Sequence, residues 1–90
     1  INSKAQLDKI RELVDSGVKE GAELYQPACK LPAKGWYFRP TLFSGVQQSH
    51  RIAREEIFGP VLSIITFRTV DEAVEKANNT AYGLSAGVWT

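Results

Sequence analysis

The run Val61 to Phe67 (VLSIITF) constrains this chain more than any other stretch. It is nearly continuous in apolar and β-branched residues, the pattern of a strand buried on both faces. Immediately after it, Thr69-x-x-Glu72 has the spacing of a helix capping box. Asp71 and Glu72 then favour the positive end of the helix that this box starts. Val70, Ala73, Val74 and Ala77 give that helix a narrow face of small residues, and Asn78 and Asn79 suit its end. The run LSAGVW after Tyr82-Gly83 reads as another strand. Strand, helix, strand is a βαβ unit, which implies parallel strands joined by a right-handed crossover. The expected fold class is therefore α/β: a mostly parallel sheet covered by helices, with a C-terminal βαβ unit.

The first part of the chain is consistent with that class. Ser3 to Glu20 reads as a helix that opens on a second capping box, Ser3-x-x-Gln6. Leu7, Ile10, Val14 and Val18 recur at three- and four-residue steps and define its apolar face. Gly21 is suited to a left-handed stop, and Gly17 weakens the helix by about 1 kcal/mol relative to Ala. Glu23 to Tyr25 reads as a short strand, and the two-proline stretch Gln26 to Gly35 as a loop. Trp36 to Phe43 is β-prone, but Pro40 within it cannot donate to a ladder, so it is expected at a sheet edge or as a covering segment. Ser44 to Glu55 shows no period.

Composition narrows the function classes. A hydrophobic share of 43% marks globular material, and a formal charge of +1 without a basic, aromatic-interleaved run argues against nucleic acid. No apolar run is long enough to span a bilayer. A lone cysteine permits no internal disulfide and suits a reducing compartment. The chain opens on Ile1 and stops within the strand-like Trp89-Thr90, which reads as a single segment, 1–90, of a longer polypeptide. Such a segment is expected to be marginally stable or to associate, because its core is small and its sheet edges are unpaired.

Few residues suggest chemistry. In REEIFGPV (Arg54 to Val61), Glu55 and Glu56 are adjacent, so their side chains diverge in a strand or a helix and do not form an acid/base dyad. One carboxylate can face a basic neighbour such as Arg54, and the other a pocket. A carboxylate has two acceptor oxygens, matching the two hydroxyls of a ribose, and Phe58 offers a flat face for an aromatic ring. The competing reading of the same residues is a surface Glu pair and a core Phe. Gln6 and Lys9 share a helix face and could meet a sugar or phosphate together, or simply complete the cap and stand in solvent. Cys29, beside Lys30 in the proline-bearing loop, has no accompanying base and reads as an incidental thiol. His50 forms no triad with Ser49 or Asp71 and reads as a solvated loop residue, while Arg51 and Arg54 read as an exposed face. One His and one Cys far apart do not suggest a metal site.

EEIFGPV together with the tail ANNTAYGLSAGVWT (Ala77 to Thr90) strongly resembles the aldehyde dehydrogenase superfamily. QLDKI, SGVKEGAEL and GWYFRPTLF are similar to the segments that precede these motifs there, so the resemblance covers nearly the whole chain in order. It implies a piece of the catalytic domain of an NAD- or NADP-dependent enzyme that oxidises aldehydes to carboxylic acids. It further implies that Glu56 binds the nicotinamide-ribose hydroxyls, that Phe58 packs near the nicotinamide ring, and that Gln6 and Lys9 approach the ribose, with Glu55 structural. The implied partners are the cofactor and an aldehyde, in an intracellular, cytoplasmic homo-oligomer. The family's nucleophilic cysteine, general-base Glu and oxyanion Asn lie in motifs that these residues do not contain, and Cys29 does not match the first. The 90 residues alone are thus expected to be inactive. The loop QPACKLPAK (Gln26 to Lys34) lacks the glycines usual there. The alternative is a segment of a non-catalytic, dehydrogenase-like scaffold or interaction protein.

Overall fold

A computed structural model describes all of residues 1–90. In chain order it contains α1 (Lys4–Lys19), β1 (Glu23–Tyr25), β2 (Thr41–Ser44), α2 (Arg51–Arg54), β3 (Val61–Ser63) and α3 (Val70–Asn78). The class is α/β. The three strands lie in the order β1-β2-β3, β1 antiparallel to β2 and β2 parallel to β3.

α1 begins where its cap residue says it should. Ser3 Oγ accepts from the Gln6 N–H at 3.2 Å. The Gln6 side chain reaches back one residue further than a standard capping box, accepting from Asn2 N–H at 3.2 Å. The helix ends in a Schellman motif: Ala22 N–H donates to Gly17 O and Gly21 N–H to Val18 O, each at 3.1 Å, with Gly21 at φ 98°. Its buried face is Leu7, Ile10, Leu13, Val14 and Gly17. Val18, expected on that face, is half exposed instead. Ile10 and Val14 pack with Ala22, Phe43, Val46 and Ile52 into one core cluster.

Gly17 marks the closest approach of helix to sheet. A Cβ there would lie 2.9 Å from Phe43 Cζ and 3.0 Å from Ile52 Cδ1. The helix-weakening glycine therefore has a packing reason. Phe43, fully buried, fills the space that the missing side chain leaves.

Several expectations need correction. β2 begins only at Thr41 and is the central strand, not an edge. Pro40 is tolerated because it stands just before the ladder, whose first N–H, that of Thr41, donates to Pro60 O at 2.8 Å. β3 covers Val61–Ser63 rather than the whole VLSIITF run. As an edge strand it is covered on one face only: Val61 and Ile65 pack on the core, while Leu62 and Ile64 are exposed. The sheet is mixed, and the parallel pair is β2 with β3, joined through α2. No strand follows α3, so the expected C-terminal βαβ unit is absent from the sheet. LSAGVW joins no ladder although the outer edge of β3 is free, and Leu84 and Trp89 are 97% and 99% exposed. Ser44 to Glu55, which showed no period, contains the four-residue α2.

Candidate nicotinamide-ribose site

The REEIFGPV segment joins α2 to β3 and lies against the start of α1. Here the two adjacent carboxylates part ways. Glu55 is the C-cap residue of α2 and turns back to Arg51, whose Nε donates to its Oε2 at 2.7 Å. Arg51 also reaches Glu12 Oε1 on α1 at 3.3 Å, and its backbone N–H donates to Glu20 Oε1 at 2.9 Å. The Arg51 hydrogen bond, reinforced by Lys9 and Arg54, holds the Glu55 carboxyl below its ordinary range, and the hydrogen bonds to Glu55 and Glu12 raise Arg51. Arg51 thus ties α2 to α1. Sequence reading took it for an exposed side chain, and no local pattern could reveal partners 31 and 39 residues away.

Glu56 turns the other way. It is exposed and lines a groove of about 410 Å³ with Asn2, Gln6, Ile57, Phe58 and Gly59. Phe58 is 67% exposed within these 90 residues, as are several other large apolar side chains. A large apolar ring left open beside a carboxylate is a surface ready for a ligand with one flat apolar face and one polar face. The structure brings Gln6, Glu56 and Phe58 to the same groove. Lys9 does not line it. Its ammonium is exposed and lies 3.6 Å from Glu12 Oε2. Glu56 also borders a second groove of about 280 Å³ with Tyr82 and Leu84, two residues that reading for chemistry passed over.

The remaining candidates behave as scaffold. His50 is a correction: it is buried rather than solvated, caps α2, and accepts from Gln47 N–H at Nδ1 over 3.1 Å. Cys29 is partly buried in its loop, and its carbonyl accepts from Arg39 Nε at 3.2 Å. No three His, Cys, Asp or Glu side chains gather as a metal cluster would require, and no helix is long and apolar enough to cross a membrane. Another groove, about 530 Å³, crosses one end of the sheet and is lined by Tyr25, Leu42, Pro60 and Leu62. It carries no carboxylate or cation, so chemistry directs attention to the smaller one.

An α/β chain with a carboxylate and an open aromatic ring on one groove is compatible with many enzyme and binding families. The comparisons make the class specific. The chain matches the aldehyde dehydrogenase family over residues 1–90, and it belongs to that family. Among its relatives, aldehyde dehydrogenase, cytosolic 1, of Macroscelides proboscideus is 52% identical over 98% of this chain and 18% of its own length. Human aldehyde dehydrogenase 1A1 is 52% identical over 97% of this chain and 17% of its own. The crystal structure of an NAD-dependent aldehyde dehydrogenase from Sinorhizobium meliloti superposes with a TM-score of 0.90 at 50% identity, over 98% of this chain and 18% of that one. An NAD+ complex of the Bacillus cereus enzyme gives 0.89 at 42% identity, over the same shares. The chain thus spans under one fifth of the length of these relatives.

Proposed function

We propose that residues 1–90 are one segment of the catalytic domain of an NAD-dependent aldehyde dehydrogenase, and that they supply the surface that holds the nicotinamide ribose. The observation that carries this is the meeting of Gln6, Glu56 and Phe58 on one groove in a chain of this family. The residues suit the group. The Glu56 carboxylate has two acceptor oxygens for the two ribose hydroxyls. Phe58 offers an exposed ring for the nicotinamide face, and the Gln6 amide stands at the rim. Lys9 serves as an outer cation, one helical turn from Gln6 and close enough to Glu55 to stabilise its charge. NAD is taken as the cofactor because superposed relatives are an NAD-dependent enzyme and an NAD+ complex.

When bound, the cofactor supplies the hydride acceptor for oxidation of an aldehyde to a carboxylic acid. What this chain contributes is orientation. Glu56 fixes the sugar, Phe58 limits tilt of the ring, and the Arg51–Glu55 pair anchors the segment that carries both. The nucleophile would come from elsewhere in the full polypeptide, because Cys29 lies in the Gln26–Gly35 loop and lines neither groove beside Glu56. The exposed apolar residues of α3 and of 84–89 would pack against the rest of that domain. The enzyme would work in the cytoplasm, as the cytosolic names of its relatives suggest, and as a homo-oligomer, as the family resemblance implies.

The test is calorimetric titration of NAD+ into the full-length protein and its Glu56→Ala variant. A hydrogen bond to a charged group contributes about 1.5–3 kcal/mol, so the variant is expected to bind about 10- to 100-fold more weakly. Unchanged affinity would refute the assignment.

A further inference from the structure

The width of the Gln6–Glu56–Phe58 groove is decided by a fourth residue. Gly59 follows Phe58 and lies directly against α1. A Cβ at this position would stand 2.6 Å from Ile10 Cδ1 and 3.2 Å from Ile10 Cγ1. Ile10 is 1% exposed and belongs to the core cluster with Phe43, so it has no free space into which to swing. The φ of Gly59 is not in the left-handed region, so alanine can adopt its backbone and only space forbids it. The turn is also fixed to the sheet. Gly59 N–H donates to Ile57 O at 2.9 Å, Gly59 O accepts from Val61 N–H at 2.8 Å, and Pro60 O accepts from Thr41 N–H at 2.8 Å. Ile10 lies four residues after Gln6, on the same side of α1. A methyl group at position 59 must therefore displace the Ile10 side chain within the packed core or widen the spacing between α1, with Gln6, and the Glu56–Phe58 edge.

We infer that Gly59 is a positioning residue: the bare backbone at 59, seated on Ile10, sets the spacing between Gln6 and the Glu56–Phe58 edge and so the fit of the nicotinamide ribose. This rests on the ribose-site reading above and goes further, because it assigns the fit to a contact that never touches the cofactor.

The experiment measures NAD+ dissociation constants by calorimetry on the full-length protein carrying Gly59→Ala, Ile10→Val or both, with binding stoichiometry reporting the folded fraction. Ile10→Val removes the Cδ1 that the new methyl would strike. Gly59→Ala is expected to weaken NAD+ about tenfold, in keeping with the steep cost of sub-ångström to ångström misplacement. Ile10→Val alone is expected to stay within about twofold of the parent, and the double variant to return to that range, a coupling a general loss of stability would not produce. Unchanged affinity in Gly59→Ala, or a loss that Ile10→Val does not relieve, overturns the inference. If Gly59→Ala yields no folded protein, recovery of folded, NAD+-binding protein in the double variant supports it, and failure to recover overturns it. Glu56→Ala, run alongside, separates the two ideas: normal binding there sinks the ribose site itself, whereas weakened binding there with normal binding in Gly59→Ala sinks the spacer alone.

Discussion

α1 and α3 open with the same device. Ser3 caps the first and Thr69 the second, each accepting the N–H three residues on. In each, the residue at that third position, Gln6 or Glu72, reaches back to the N–H before the cap, at Asn2 or Arg68. Their surroundings are opposite. α1 buries five residues and supplies the core with Ile10 and Val14, while α3 buries none. All the buried residues of the chain lie between Leu7 and Ile52. The contrast shows that caps and periodicity suffice to start and shape a helix, but burial depends on whether an opposing surface lies within these 90 residues.

The largest effect should come from emptying the core beneath α1. Phe43→Ala is expected to cost about 3–5 kcal/mol, enough to abolish a cooperative urea transition followed by circular dichroism in so small a unit. The matching truncation on α3, Val74→Ala, removes a half-exposed side chain and should shift the midpoint by no more than about 0.5 kcal/mol. Comparable losses at both positions would break the contrast.

Next in size is Gly17→Ala. Propensity alone makes it stabilising by about 1 kcal/mol, but the overlap with Phe43 and Ile52 should reverse the sign, with a net loss of about 1–2 kcal/mol. A rise in thermal midpoint would show that α1 can lift from the sheet. Removing either cap, by Ser3→Ala or Thr69→Ala, should cost about 1 kcal/mol. Their effects should differ in kind. Hydrogen exchange is expected to show the loss at Ser3 spreading into the core, while that at Thr69 stays within α3.

The smallest effect concerns Arg51 and Glu55, both partly exposed. Since the pair lowers the Glu55 pKa, its stabilisation is fully present above the ordinary carboxylate value of 4.5 and is lost as pH falls through the lowered folded value. Arg51→Met should therefore reduce the pH dependence of stability below pH 4.5, and added salt should narrow the difference between variant and parent. An unchanged acid limb would mean that the pair contributes nothing.

Where the chain could be read from sequence, short-range physics was responsible. Both capped helices and the stop at Gly21 rest on contacts a few residues apart. Strand length was not legible, because VLSIITF looks double-buried, whereas only the face of Val61 and Ile65 meets a core within these 90 residues. LSAGVW has no neighbouring strand within them. Pro40 misled in the other direction: its missing N–H excludes it from a ladder but not from the residue before one. At the site, the pairing of Glu55 with Arg51 and the opening of Phe58 to solvent needed coordinates. The chemistry of a lone carboxylate beside a ring was visible beforehand, and family resemblance alone singled out Glu56 as that carboxylate.

The central claim is that Glu56 and Phe58 form the nicotinamide-ribose edge. The most direct measurement is a crystal structure of the full-length protein with NAD+. It should show the Glu56 carboxylate within about 2.5–3.0 Å of the ribose hydroxyls, with the Phe58 ring against the nicotinamide. A bound NAD+ whose ribose lies elsewhere, with Glu56 still in solvent, would contradict the account.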